Sequence, residues 1–169
     1  GDIDCKVRAD LHEGIDSTIL ILKYRLKANN KRPAIEVITE YSDLPQIECF
    51  PGQLNQVFMN ILANAIDELE ESNKGFSFKE IEANPNKITI KTFLKDNQIK
   101  ISIADNGQGM TEEVKQKIFD HLFTTKKVGK GTGLGLSIAR QIIREKHDGS
   151  LEVNSDFGKG TEFVISIPV

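Results

Sequence analysis

Four alternating glycines in Gly129-Lys130-Gly131-Thr132-Gly133-Leu134-Gly135-Leu136 run directly into an apolar-periodic stretch, Ser137 to Lys146. No other feature of the 169 residues constrains the fold so tightly, because a glycine-rich loop that opens a helix suits a phosphate. Glycines let backbone N–H groups approach an anion closely. The first N–H groups of a helix have no intrahelical partner, and the helix dipole adds partial positive charge there. Three companion segments stand at fitting distances. They are Asn60…Asn64 in a helical pattern, Asp105-Asn106-Gly107-Gln108-Gly109 after a strand pattern, and Gly158-Lys159-Gly160-Thr161 before the last strand pattern.

The remaining composition excludes more than it selects. A charged fraction of 28% and an apolar fraction of 38% match an ordinary soluble globule. A net charge of -3 gives no push toward nucleic acid or an anionic membrane. Cys5 and Cys49 lack metal-ligand spacing and read as reduced thiols of a cytoplasmic protein. His12, His121 and His147 form no ligand cluster in sequence. No apolar run is long enough to cross a bilayer, and no signal peptide is visible. The abrupt start at Gly1 suggests an excised piece of a longer protein.

Local patterns set the expected elements. Cys5 to Ala9 reads as a strand. Asp10 reads as an N-cap with Glu13 as its capping-box partner, followed by Ile15, Ile19, Leu22 and Leu26 at helical spacing. Ile35 to Tyr41 is a strand by β-branched content. Leu44-Pro45-Gln46 and Phe50-Pro51-Gly52 are turns. Leu54, Val57, Phe58, Ile61, Leu62, Ala65, Ile66 and Leu69 form one apolar helix face, with Asn60, Asn64, Asp67 and Glu71 as a polar stripe beside it. Residues 72–85 lose all periodicity and are expected to be a mobile loop pinned by Phe76 and Phe78. Ile88 to Leu94 and Ile99 to Ala104 are strands joined by a turn at Asp96-Asn97. Thr111 caps a short helix reaching Phe119. The long helix ends near His147, with Gly149 as its stop. Leu151 to Ser155 and Glu162 to Ile167 close the chain as a hairpin. This order predicts an α/β two-layer sandwich, a mixed sheet with helices on one face.

These residues resemble the catalytic, ATP-binding domain of sensor histidine kinases, in the superfamily that includes gyrase and Hsp90. The resemblance covers nearly the whole chain. Asn60-Ile61-Leu62-Ala63-Asn64-Ala65 resembles the N box, and Asp105 to Gly109 the G1 box. Ile118-Phe119-Asp120-His121-Leu122-Phe123-Thr124-Thr125-Lys126 resembles the F box. Gly131 to Leu136 resembles the G2 box, and Gly158 to Thr161 the last glycine motif. The resemblance implies the Bergerat-type fold, one domain spanning 1–169, an ATP lid over 120–130, and no acceptor-helix domain within the chain.

It also implies roles. Asp105 accepts a hydrogen bond from the adenine amino group, a charge-assisted contact worth roughly 1.5–3 kcal/mol in a dry pocket. Thr161 closes the adenine site. Asn64 ligates Mg²⁺ through its side-chain oxygen, which suits a hard cation shared with phosphate oxygens. Gly107, Gly109, Met110, Gly131, Thr132, Gly133, Leu134, Gly135 and Leu136 line the nucleotide, and Thr125 and Lys126 reach its phosphates from the lid. Asn60 stands where the ATPase relatives carry an acid that activates water. An amide cannot act as a general base near neutral pH, which favours phosphoryl transfer over hydrolysis. Asp67 departs from the basic residue common there. His12 reads as a surface residue, and His147 as a cation suited to a helix C-terminus.

The expected function is transfer of the γ-phosphoryl of ATP to a histidine on the protein's own dimerisation domain, for relay to a response regulator receiver domain. Asn60 and Lys126 are the expected catalytic residues. ATP or ADP and Mg²⁺ are the expected ligands, nucleic acid is not a partner, and the fragment is expected to be monomeric. A hydrolytic ATPase of the same superfamily and a nucleotide-sensing module without catalysis are the alternatives.

Overall fold

The computed structural model describes residues 5–120 and 135–169. A five-stranded sheet has the order β2-β4-β5-β7-β6. Its strands are β2 (Glu36–Tyr41), β4 (Lys87–Lys95), β5 (Gln98–Asp105), β6 (Ser150–Ser155) and β7 (Thr161–Pro168). The β2–β4 pairing is parallel and the others antiparallel. A separate pair, β1 (Val7–Ala9) and β3 (Ile47–Cys49), runs antiparallel. Helices α1 (Leu11–Ile21), α2 (Lys23–Leu26), α3 (Pro51–Ser72), α4 (Phe78–Ala83), α5 (Glu112–Lys117) and α6 (Gly135–Gln141), with a π-helical turn after α6, complete the described elements. This is the expected α/β sandwich.

Alternation along the central strands creates its core. Ile99, Ile101 and Ile103 of β5 and Phe163, Ile165 and Ile167 of β7 point into the helical layer and are buried. Each contributes roughly 1.5–3 kcal/mol on burial. Against them lies α3, whose eight expected apolar residues are all buried. The same alternation carries Asp105 and Thr161, the last and first residues of β5 and β7, onto that inner face. Asp96 and Asn97 both adopt positive φ, 53° and 60°, as a two-residue hairpin turn requires.

Several expectations are corrected. Residues 72–85 are not irregular throughout, since α4 occupies Phe78–Ala83 under a complete capping box. Ser77 Oγ accepts from the Glu80 N–H at 3.1 Å, and Glu80 Oε1 accepts from the Ser77 N–H at 2.8 Å. Buried Ile81 anchors this segment, whereas Phe76 and Phe78 stay exposed. Pro51 is the first residue of α3 rather than a turn, as its fixed φ allows. The Asp10 carboxylate does cap α1, but it accepts from the His12 N–H at 2.9 Å, and no box with Glu13 forms.

The helix before β6 widens into a π-helical turn over Ile142–Lys146. Asp148, not Gly149, carries the left-handed residue that ends it, with φ of 53°. Gly149 is needed for space: a Cβ there would collide with the Ser166 carbonyl oxygen. Nor is His147 a cation at a helix end. It is buried, its Nδ1 donates to the Ile142 carbonyl at 3.1 Å, and its Nε2 accepts the Phe50 N–H at 3.1 Å. Desolvation pushes its pKa below the ordinary value. His12 is half-buried rather than a free surface residue, stacked on Tyr41 at 4.1 Å with Nε2 2.7 Å from Thr92 Oγ1.

Candidate active site

Asp105 ends β5 with its carboxylate only 8% exposed. Burial raises its pKa from 3.8 to about 6, against the opposing pull of the Gly107 and Thr161 backbone amides. The Gly107 N–H donates to Oδ1 at 2.9 Å. A carboxylate accepting two amides still has lone pairs for a further donor. Thr161 is its directly paired neighbour on β7 and is likewise buried, so both side chains face the same space at the strand ends.

The glycines around this pair interlock. Gly109 has φ of +78°, and a Cβ on it would strike the carbonyl oxygens of Asp156 and Gly160. Gly160 has φ of +83°, and a Cβ there would strike the Asp105 carbonyl oxygen. The Gly158 N–H donates to the Gln108 carbonyl. Gly107 instead docks the loop on α3, where the Gln108 N–H donates to Ser72 Oγ at 2.9 Å and Ser72 Oγ donates to the Glu68 carbonyl at 2.8 Å. Met110 is buried, and its N–H is already spent on Ser155 Oγ at 2.8 Å. Close packing of two loops therefore accounts for Gly109 and Gly160 without a ligand.

Asn60 and Asn64 lie one turn apart on the half-buried stripe of α3. The Asn60 Nδ2 donates to the Gly135 carbonyl at 2.9 Å. This bond fastens the end of the glycine-rich segment to α3 and leaves Asn60 Oδ1 as an acceptor. Leu136 turns its side chain into the core, which leaves its backbone for any ligand. Thr125, Lys126, Gly131, Thr132, Gly133 and Leu134, with most of the expected lid, lie outside the described residues. Just before them, Phe119 packs edge-on against Phe163 with centroids 6.2 Å apart, under the Arg140 guanidinium at 4.7 Å. Phe119 thereby fastens the turn after α5 to the domain body.

The acid at Asp67 has a local explanation. Arg25 from α2 donates to Asp67 Oδ1 at 2.8 Å and to Glu70 Oε1 at 2.9 Å. Glu70 also receives Arg32 Nη2 at 3.2 Å. Nothing in the residue spacing reveals this cluster, because its members come from positions far apart in the chain. Ser72 and Ser155 were missed as well. Their hydroxyls act through backbone groups of distant loops, and sequence offers only a serine beside a turn.

The sequence pattern of the histidine kinase-, DNA gyrase B-, and HSP90-like ATPases matches residues 50–169. The chain belongs to that family. Sporulation kinase E of Bacillus subtilis (strain 168) is 38% identical over 152 residues, covering 90% of this chain and 18% of that protein. Sensor histidine kinase ZraS of Escherichia coli (strain K12) is 33% identical over 131 residues, covering 78% of this chain and 25% of that protein. The chain thus spans a quarter or less of these relatives. The nucleotide-free catalytic domain of histidine kinase ThkA superposes with a TM-score of 0.76 at 27% identity, covering 96% of this chain and 95% of that one. Within the ATPase family, the chain is therefore a catalytic domain of the histidine kinase type, with the mixed sheet and one-sided helical layer of that fold. ThkA in complex with response regulator protein TrrA matches at a TM-score of 0.71 and 25% identity, over 96% of this chain and 41% of that one. Among the described residues no helix is long and apolar enough to cross a membrane.

Proposed function

We propose that this domain binds ATP between the α3 stripe, the ends of β5 and β7 and a lid over 120–130, and transfers its γ-phosphoryl to a histidine. That histidine belongs to the protein's own dimerisation domain, and the phosphoryl passes on to an aspartate of a response regulator receiver domain. The observation that carries this reading is the buried Asp105 side chain, paired across strands with Thr161. Adenine offers Asp105 a further donor through its 6-amino group. Guanine offers a carbonyl at the same place and is rejected.

In the transfer step the imidazole nitrogen forms a bond to phosphorus while the bond to the β–γ bridging oxygen breaks, and ADP leaves. Lys126, Thr125 and the amides of Gly131, Thr132, Gly133 and Leu134 hold the phosphates. Asn60 keeps the glycine segment in place and, as an amide, takes no proton from water. The donor set suits Mg²⁺. Among the described residues no three His, Cys, Asp or Glu side chains gather as a metal cluster, so a divalent ion would rest on Asn64 Oδ1 and phosphate oxygens, as magnesium does. When bound there, Mg²⁺ supplies neutralisation of phosphoryl charge. The chain acts as one monomeric domain on the cytoplasmic side, where ATP is found.

The test supplies γ-labelled ATP, this domain and a separate acceptor-helix domain. Label on the acceptor histidine is the expected result. Steady phosphate release with no labelled histidine would establish the hydrolytic alternative, and nucleotide binding with neither outcome the non-catalytic one.

A further inference from the structure

The hydroxyl of Ser155 stands at a junction of three hydrogen bonds. Ser155 Oγ lies 2.9 Å from the Gly160 carbonyl oxygen, 2.8 Å from the Met110 nitrogen and 2.9 Å from Thr161 Oγ1. A carbonyl can only accept, so Ser155 donates to Gly160. The Met110 N–H can only donate, so it takes one of the two lone pairs on Ser155 Oγ. With the Ser155 proton on Gly160, Thr161 is the donor to the remaining lone pair. Ser155 and its three partners are all buried.

One consequence concerns the space that Thr161 shares with Asp105. With its proton committed to Ser155, Thr161 Oγ1 offers only lone pairs. Asp105 beside it is an acceptor too, with Oδ1 already taking the Gly107 N–H. The strand ends thus present two acceptors side by side, and no hydroxyl is free to rotate and donate. We propose that Ser155 is a specificity-determining residue, which makes the site acceptor-only by fixing the Thr161 hydroxyl and so admits a purine with an amino group at position 6 while rejecting one with a carbonyl there. This rests on the proposal that adenine binds at Asp105. Ser155 acts through Thr161, directly or across a water, and is a positioning residue rather than a catalytic one.

The experiment compares ADP with inosine diphosphate, which carries a carbonyl in place of the 6-amino group. Both are titrated into the whole chain by calorimetry, for the native domain and for Ser155→Ala, Ser155→Thr and Thr161→Val. The native domain is expected to prefer ADP by at least about thirtyfold. In Ser155→Ala the freed Thr161 hydroxyl can turn and donate to the inosine carbonyl, so the preference falls at least about fivefold. Ser155→Thr keeps the hydroxyl and the preference.

Thr161→Val leaves the other bonds of Ser155 in place and keeps the test open should Ser155→Ala not fold. It is expected to weaken ADP while leaving inosine diphosphate unchanged. Adding Ser155→Ala to it should cause no further loss of preference. Equal weakening of both nucleotides in Ser155→Ala or Thr161→Val, with the native ratio preserved, would show a merely structural serine and overturn the inference. A native domain that binds both nucleotides alike would overturn the adenine assignment itself.

Discussion

Asn60 on α3 holds the carbonyl of Gly135, the first residue of α6, through its Nδ2 at 2.9 Å. An amide can do this because it donates, whereas a carboxylate at the same place would confront a carbonyl oxygen with negative charge. Asn60→Asp therefore does more than restore the acid of the hydrolytic relatives: it releases the end of the glycine segment. Loss of a part-buried hydrogen bond costs about 1–3 kcal/mol, so ADP affinity should fall about tenfold at neutral pH. Protonation of the new carboxyl restores a donor, and the deficit should narrow at pH 5. Fluorescence titration with a labelled ADP at the two pH values checks both. A fully active ATPase with native ADP affinity would contradict the anchoring role.

Burial of Asp105 carries a cost in stability. Its folded-state pKa of about 6 lies above the ordinary 3.8, so between those values the folded state holds more protons than the unfolded one. The contribution of Asp105 to stability then grows as pH falls from 6 toward 4 and is absent above 6, the reverse of the usual carboxylate. Two pKa units correspond to about 3 kcal/mol. In Asp105→Asn the amide oxygen still accepts from Gly107, but its NH₂ faces the Thr161 N–H, which offsets part of the gain. The variant should melt about 3–5 °C above the native domain at pH 8, and the gap should close by pH 5. Its ADP affinity should drop at least about tenfold. Calorimetric melts and titrations on the same samples decide. A variant that is both less stable and undiminished in binding would remove Asp105 from the site.

The helix face of α3, the hairpin turn at Asp96-Asn97 and the caps at Asp10 and Thr111 were legible because each depends on residues close in the chain. Motif order pointed to Asp105, Thr161, Asn60 and Asn64 as candidates for a similar reason, since each box occupies one element. What escaped needed distant partners. The three residues of β3 pair with β1 across about forty positions, leaving no local period to read. The π-helical turn precedes a histidine that bonds the start of α3. Ser77 and Glu80 did carry a local signal for α4, a capping box, but a six-residue helix has too few apolar positions to show a period.

Arg32 has the burial of a core residue, with its side chain 3% exposed. Its guanidinium donates to the carbonyls of Lys27, Pro33 and Arg25 at 3.1, 3.1 and 2.6 Å, besides Glu70. That fork joins the end of α2 to the strand leading into β2, and no point charge can match it. Arg32→Lys keeps the charge but leaves at least one carbonyl unpaired, at a cost of about 2 kcal/mol. Melting should fall by about 4–8 °C with nucleotide affinity changed less than twofold, as Arg32 lies away from the Asp105–Thr161 pair. Thermal denaturation alongside ADP titration tests this. A variant as stable as the native domain would show that charge, not the fork, is what matters.

Asn64 offers a test that separates metal from nucleotide. Its amide shares the α3 stripe with Asn60, and no hydrogen bond ties it to another described side chain or loop, so truncation leaves no buried partner unsatisfied. Asn64→Ala should therefore fold with native stability, since alanine favours a helix interior over asparagine. If its oxygen ligates Mg²⁺ on the phosphates, ATP binding in the presence of magnesium should weaken about tenfold, while binding in a metal-chelating buffer stays within twofold of the native domain. The contrast is a difference of differences, which a general loss of pocket shape cannot imitate. Equal weakening with and without magnesium would assign Asn64 to the nucleotide alone, and the metal would then need another oxygen.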